Sequence, residues 1–199
     1  YEISTRDWSS DVCSSDLFVR SSNQYLTVPA SGDAFTLGSA DFTIEAWVRL
    51  SSLPSGGGYP GGYWICGWGA TNSNAGFDFY ITDVNIVLNL QNFASPTVSG
   101  THGMVTGQWY HVAAVRSGTS LSLYIDGIRV ATATSSDSAY APGDAIAISA
   151  AEPSGAISGN WDGFIDDFRI TKGSNRGYTG STITVPTSAF PDVDGSLIK

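Results

Sequence analysis

The segment LSLYIDGIRVATAT, residues 121–134, consists of two alternating runs of β-favouring residues parted by Asp126-Gly127. That dipeptide readily takes positive φ at both centres of a type I′ turn, whose twist matches that of paired strands. The spacing predicts a hairpin in which Ile125 faces Ile128, with Leu121, Leu123 and Ile125 sharing a face with Ile128, Val130 and Thr132. Whatever else this chain does, it builds antiparallel sheet.

The same period of two recurs elsewhere. In DFTIEAWVRL, Phe42, Ile44, Ala46, Val48 and Leu50 fall on one face, and Thr43, Glu45, Trp47 and Arg49 on the other. In WYHVAAVR, Trp109, His111, Ala113 and Val115 oppose Tyr110, Val112 and Ala114, so both faces are apolar enough for a strand in mid-sheet. Further strands are predicted at 25–28, 63–67, 76–81, 85–89, 145–149 and 163–171. No window shows a 3.6-residue period with caps, and 23 Gly and 8 Pro interrupt the chain too often for long helices. The predicted class is all-β. About ten short strands with turn signals between them, and no internal repeat, fit a two-sheet antiparallel jelly-roll β-sandwich better than a propeller.

Charge narrows the partners. Nine Lys and Arg stand against 18 Asp and Glu, a formal net charge of −9. Phosphate backbones are held by clustered basic side chains, so nucleic acid is not an expected partner. The apolar strands, such as 86–90, fall far short of the ~20 residues of a spanning helix, and membrane insertion is not expected. Cys13 and Cys66 lie in segments of different character and are not expected to bridge; Cys66, in YWICGWG, reads as a small core residue.

Residues 1–17, YEISTRDWSSDVCSSDL, show neither period, and alternation begins abruptly at Phe18. The stretch resembles translated adapter read-through found ahead of unrelated frames in metagenomic assemblies. The expected division is a non-native leader over 1–17, one domain over 18–191, and a tail or linker over 192–199.

Three segments, YLTVP…FTLGSADFTIEAWVRL, WYHVAAVRSGTSLSLYIDGIRVAT and GFIDDFRITKG, occur in this order. Together they resemble the laminin-G-like, or concanavalin A-like lectin/glucanase, superfamily, in its pentraxin-like subgroup. The resemblance implies a jelly-roll sandwich and an extracellular, cell-surface or virion setting such as a phage tail, with neighbouring modules in a larger chain. It does not choose a function, because the fold serves lectins, hydrolases, adhesion modules and spacers.

Catalysis is not expected. A glucanase needs paired carboxylates about 5–9 Å apart, and the ExDxxE signature of that branch is absent. Glu2 lies in the leader, Glu152 in a Pro/Gly loop, and Glu45 has no second acid beside it on its strand face. His102 and His111 are the only histidines and no GxSxG elbow occurs, so a nucleophilic triad has no support. His111 reads as a hydrogen-bonded core or half-buried residue.

The acids of NWDGFIDDFRI carry more information. Counting by two places Phe164, Asp166, Phe168 and Ile170 on one face, and Ile165, Asp167 and Arg169 on the other. Asp166 is then a carboxylate on an aromatic, inward face, which demands a cation, several N–H donors or a metal. Two readings stay open. In one, Asp166 with Asp162 and Asn160 holds a structural calcium, a cofactor the resemblance also implies. In the other, Asp166 caps backbone amides or pairs with an arginine such as Arg49 or Arg20.

For ligands, an aromatic face with planar polar side chains beside it suits sugars. The Gly-rich stretch 59–74 offers Tyr59, Tyr63, Asn72 and Asn74 as exposed contacts, with Trp64 and Trp68 read as core, and Trp161 forms a second platform. The expected function is a non-catalytic surface module recognising glycan or another surface polymer. The rivals are a spacer without a ligand and, further off, a glycoside hydrolase.

Overall fold

The computed structural model describes residues 16–28, 36–56, 61–68, 76–90, 97–139, 146–151, 159–188 and 196–198. Among them run the strands β1 (Asp16–Phe18), β2 (Leu26–Val28), β3 (Phe42–Leu50), β4 (Tyr63–Trp68), β5 (Phe77–Ile81), β6 (Asn85–Leu90) and β7 (Val98–Thr101). They continue with β8 (Trp109–Ser117), β9 (Ser120–Ile125), β10 (Ile128–Thr134), β11 (Ile146–Ile148), β12 (Gly163–Lys172) and β13 (Ser196–Ile198). One 3-10 turn, Arg20–Ser22, is the helical content of the described residues, and no helix is long and apolar enough to cross a membrane.

The strands form two antiparallel sheets, as the alternation predicts. One runs β1-β12-β3-β8-β9-β10 with β13 also paired to β12; the other runs β2-β11-β4-β5-β6-β7. The inward set of β3, Phe42, Ile44, Ala46, Val48 and Leu50, is buried to within 1% and meets Phe77, Phe79, Ile81, Ile86, Leu88 and Leu90 of the facing sheet in one core. β8 lies between β3 and β9, the mid-sheet place its two apolar faces require.

The hairpin forms with Ile125 opposite Ile128. Its face assignment changes past Arg129, where the register shifts so that Ala131 faces Leu123 and Ala133 faces Leu121. Thr132 therefore lies opposite Ser122 rather than with the leucines. The extra residue of a bulge inverts every later position of its strand.

A second bulge has larger consequences. In β12, Asp166 faces Trp47 and Arg169 faces Glu45, so Asp167 and Phe168 together oppose one residue of β3. Asp167 has φ 47°, the left-handed region that Asp tolerates better than most residues. The period-of-two count breaks there. Ile165, Phe168 and Ile170 point into the core, whereas Asp166 lies in the outward row of Trp47, and the expectation of an inward Asp166 is corrected.

The outer face of the seven-stranded sheet is half covered by the segment after β12. Tyr178 and Ile183 pack on Ala113, Val115 and Tyr124, and the Tyr124 hydroxyl lies 2.8 Å from the Gly180 carbonyl it donates to. Ile183 N–H donates to the Gly127 carbonyl at 2.8 Å. Gly127 has φ 79°, and a Cβ there would stand 2.6 Å from the Ile183 carbonyl oxygen, so the hairpin turn and the covering segment both need glycine at this position. At the other edge, Asp16 and Leu17 pair with Ile165 and Phe164, so ordered strand begins two residues before the expected domain boundary.

Candidate functional site

The outer face of the six-stranded sheet combines aromatic and polar groups in register. Trp64 on β4 faces Tyr80 on β5, which faces Val87 on β6, which faces Ser99 on β7. One step along the strands, Gly67 faces Asp78 and Asp78 faces Asn89. Strand alternation puts these two rows on the same face, because Phe77, Phe79, Ile81, Ile86, Leu88 and Leu90 take the inward positions. On the far side of the aromatic row, Asn85 faces Thr101.

The rings of Trp64 and Tyr80 stack at 4.5 Å with planes 11° apart. Gly159 closes over Trp64: with φ 69°, a Cβ on it would come 2.1 Å from the indole. Asn89 donates from Nδ2 to the Tyr80 hydroxyl at 3.3 Å. Its Oδ1 is buried and accepts no hydrogen bond among the described residues, although the residue is only 4% exposed. Burial, together with the nearby Asp78 charge, raises the Tyr80 phenol above its ordinary range, against the opposing hydrogen bond from Asn89. The same two influences push the Cys66 thiol well up, as fits its place as an inert core residue. The face thus holds, each no more than 7% exposed, a stacked aromatic pair, a carboxylate and an amide with an unused acceptor, beside a strand whose Ser99 and Thr101 are exposed.

The residues singled out from sequence lie elsewhere. Tyr59, Asn72 and Asn74 fall outside the described residues. Tyr63 is 5% exposed, its hydroxyl 2.7 Å from Ser52 Oγ and its ring under the Arg20 guanidinium at 4.7 Å. Trp161 is fully buried, edge-on to Tyr63, and donates from Nε1 to the Arg49 carbonyl at 3.4 Å. The expected exposure of both rings is corrected: each is packed in the sandwich core, where no sugar can stack on it.

The proposed calcium set does not assemble. Asp162 and Asp166 are four residues apart on an extended segment, roughly 13 Å at about 3.3 Å per residue. Asp162 Oδ2 accepts from Ser52 Oγ at 2.6 Å. The Asn160 and Gly62 carbonyls accept from one nitrogen of the Arg20 guanidinium at 3.0 and 3.2 Å, and the Asn160 side-chain amide donates to the Gln24 carbonyl. A cationic group already stands where a calcium would draw its carbonyl ligands. Asp166 Oδ1 accepts from the Asp167 N–H at 2.8 Å, a backbone cap made possible by the bulge. Among the described residues no cluster of three His, Cys, Asp or Glu could hold a metal. Asp162→Asn is therefore expected to leave unchanged any difference in melting temperature between calcium and EDTA; a difference that this variant abolishes overturns the assignment.

Sequence reasoning passed over the densest polar cluster. Glu45, fully buried, receives Arg169 Nη2 at 2.6 Å and Nε at 3.1 Å on Oε1, with Arg176 Nε at 3.3 Å from the same oxygen. His111 Nε2 and the Tyr178 hydroxyl reach Oε2 at 3.1 and 3.3 Å. Burial alone pushes this carboxyl up, but the His111 hydrogen bond and the Arg169 charge outweigh it and hold Glu45 below the ordinary glutamate range. Tyr178, half-buried and facing that carboxylate, is pushed up to about 12. With its oxygens engaged by four side chains, Glu45 acts as an anchor for the covering segment. The available signal was Arg169 on the neighbouring strand β12, hidden by the bulge.

Comparison with known proteins places these features. The family described as the concanavalin A-like lectin/glucanases superfamily matches residues 20–174. No curated protein matches the sequence. Among solved structures, a candidate carbohydrate-binding protein of Bacteroides ovatus superposes with TM-score 0.62 at 16% identity, covering 82% of this chain and 44% of the other. Domain 4 of an extracellular arabinanase from Geobacillus stearothermophilus, in complex with arabinotriose, gives 0.56 at 19% identity over 76% of this chain and 68% of that domain. Domains LG4-5 of the mouse laminin alpha1 chain give 0.53 at 16% identity over 92% and 44%. The chain spans less than half the length of the first and third of these.

Proposed function

The chain belongs to the concanavalin A-like lectin/glucanases superfamily, and from that premise we propose that it is a non-catalytic glycan-binding module of an extracellular, cell-surface or virion protein. The observation that carries this reading is the buried Asn89 Oδ1 without a hydrogen bond, set between the Tyr80 ring and the Asp78 carboxylate on one sheet face. A buried acceptor left unpaired costs about 1–3 kcal/mol, and a sugar hydroxyl donating to it recovers that cost on binding. The Tyr80 ring backs the amide, and Asn85, Ser99 and Thr101 line the approach with groups that both donate and accept. The Bacteroides and Geobacillus proteins, one a candidate carbohydrate-binding protein and the other solved with arabinotriose, share the fold and lend the reading its ligand class.

The non-catalytic half rests on Glu45, the one glutamate among the described residues, which is locked by Arg169 and His111 rather than paired with a second acid. Titration calorimetry with neutral arabino-, xylo- and laminari-oligosaccharides tests the binding half. Asn89→Ala is expected to weaken the best ligand by about tenfold, the equivalent of 1.4 kcal/mol, with the circular dichroism spectrum retained. Unaltered affinity in that variant, or no binding of any of the three series, overturns the reading.

A further inference from the structure

The face of the seven-stranded sheet left uncovered beyond the Glu45 cluster has its own pattern. Leu17 on β1 faces Phe164 on β12, Phe164 faces Arg49 on β3, and Arg49 faces Trp109 on β8. With neighbouring strands about 4.8 Å apart, this single row spans roughly 14 Å, the length of a short oligosaccharide. Leu17 is 51% exposed, and Phe164, Arg49 and Trp109 are each partly exposed. The Phe164 and Trp109 rings lie 6.2 Å apart at 56°, and the Arg49 guanidinium sits 5.3 Å over the Phe164 ring.

Four of the other arginines are engaged elsewhere, and Arg129 shows, among the described residues, only a backbone hydrogen bond, to the Ser181 carbonyl. Arg20 is spent on backbone carbonyls, Arg116 on the carbonyls of Gly118, Ser135 and Asp137, and Arg169 and Arg176 on Glu45. The Arg49 side chain makes no hydrogen bond or ion pair among the described residues. Its place over Phe164 sets beside the row a group with five N–H donors whose geometry matches a carboxylate.

We infer that this row is a second ligand subsite, on the sheet opposite the Asn89 face, for a sugar bearing a single carboxylate. The Trp109 and Phe164 rings take the apolar face of the pyranose, and the Arg49 fork takes the carboxylate in a bidentate, charge-assisted contact. The net charge of −9 works against a polyanion, and Asp166 in the adjacent row is a like charge for any ligand that carries more than one. A terminal uronic acid on an otherwise neutral oligosaccharide is the chemistry that fits both constraints.

The test is calorimetry with a xylo-oligosaccharide carrying one glucuronic acid against the same oligosaccharide without it. The wild-type chain is expected to bind the acidic probe at least tenfold more tightly. Arg49→Gln removes that preference, and Arg49→Lys, a point charge without the planar fork, keeps only part of it. Asn89→Ala keeps the preference intact, so failure of the first proposed site leaves this one standing and the reverse holds as well. Equal binding of the two probes by the wild type, or a preference surviving in Arg49→Gln, overturns the inference. The Lys variant, with the same charge, controls for folding in the Gln variant.

Discussion

Glu45→Ala is expected to cost about 3–5 kcal/mol of unfolding free energy, the largest effect of any single polar replacement in this sandwich. The carboxylate is fully buried and satisfies Arg169, His111 and Tyr178 at once. Its removal strands a guanidinium in a dry place, and that penalty exceeds what the intact pair contributes. Urea unfolding followed by tryptophan fluorescence measures it; a loss below about 1 kcal/mol shows that water reaches the cluster and that the anchor is weaker than its geometry. The pH dependence follows from the same group. Because the folded carboxyl titrates below its unfolded value, near 4.3, its contribution is fully present above that pH and is lost as pH falls through the lower, folded value. Wild-type stability is therefore expected to hold from neutrality down to about pH 5 as far as Glu45 is concerned, and to fall steeply below about pH 4. Glu45→Gln, which cannot titrate, shows a shallower acid limb.

Trp161→Ala is expected to cost about 3–5 kcal/mol, the range for deleting a large buried aromatic. Trp161 is enclosed on all sides, contacts Tyr63 edge-on and hydrogen-bonds the backbone of β3, so the void it leaves lies in the sandwich core. The measurement also separates a core residue from a sugar platform. A platform loses affinity and keeps its melting temperature; a core residue loses stability first. A Trp161→Ala chain as stable as the wild type, with weakened glycan binding, would return the ring to the surface role that its neighbours Asn160 and Asp162 suggest in the sequence.

The fold was legible because its determinants are local. Alternation in β3 and β8 and the Asp126-Gly127 turn act over a few residues, and each is satisfied in place. What the pattern could not convey is where alternation stops. Asp167 adopts a left-handed conformation that costs an ordinary residue energy, and nothing in IDDF marks the second Asp rather than the first as the one that bulges. That one residue moved Asp166 from the core face to the outer one and brought Arg169 to Glu45. The candidate site was hidden for a different reason. Trp64, Tyr80, Asp78 and Asn89 are up to 25 residues apart in sequence, and only the pairing of β4, β5 and β6 makes neighbours of them. Tyr63 and Trp161 drew attention by composition, whereas their burial follows from the strand parity of Tyr63 and from the packing of a segment, residues 159–162, that lacks a regular period.

The two end strands give the sandwich a defined mechanical weak point. β1 and β13 each pair only with β12, over three residues or fewer in register, at opposite ends of that strand. Tension applied between these strands loads β12 alone and peels the short edges away from it a hydrogen bond at a time, the lowest-force way to break a sheet. The β3-β8-β9 centre, with its longer pairings, lies off that load path. Under such tension, therefore, the short edge pairings act as fuses and yield ahead of the longer central ones.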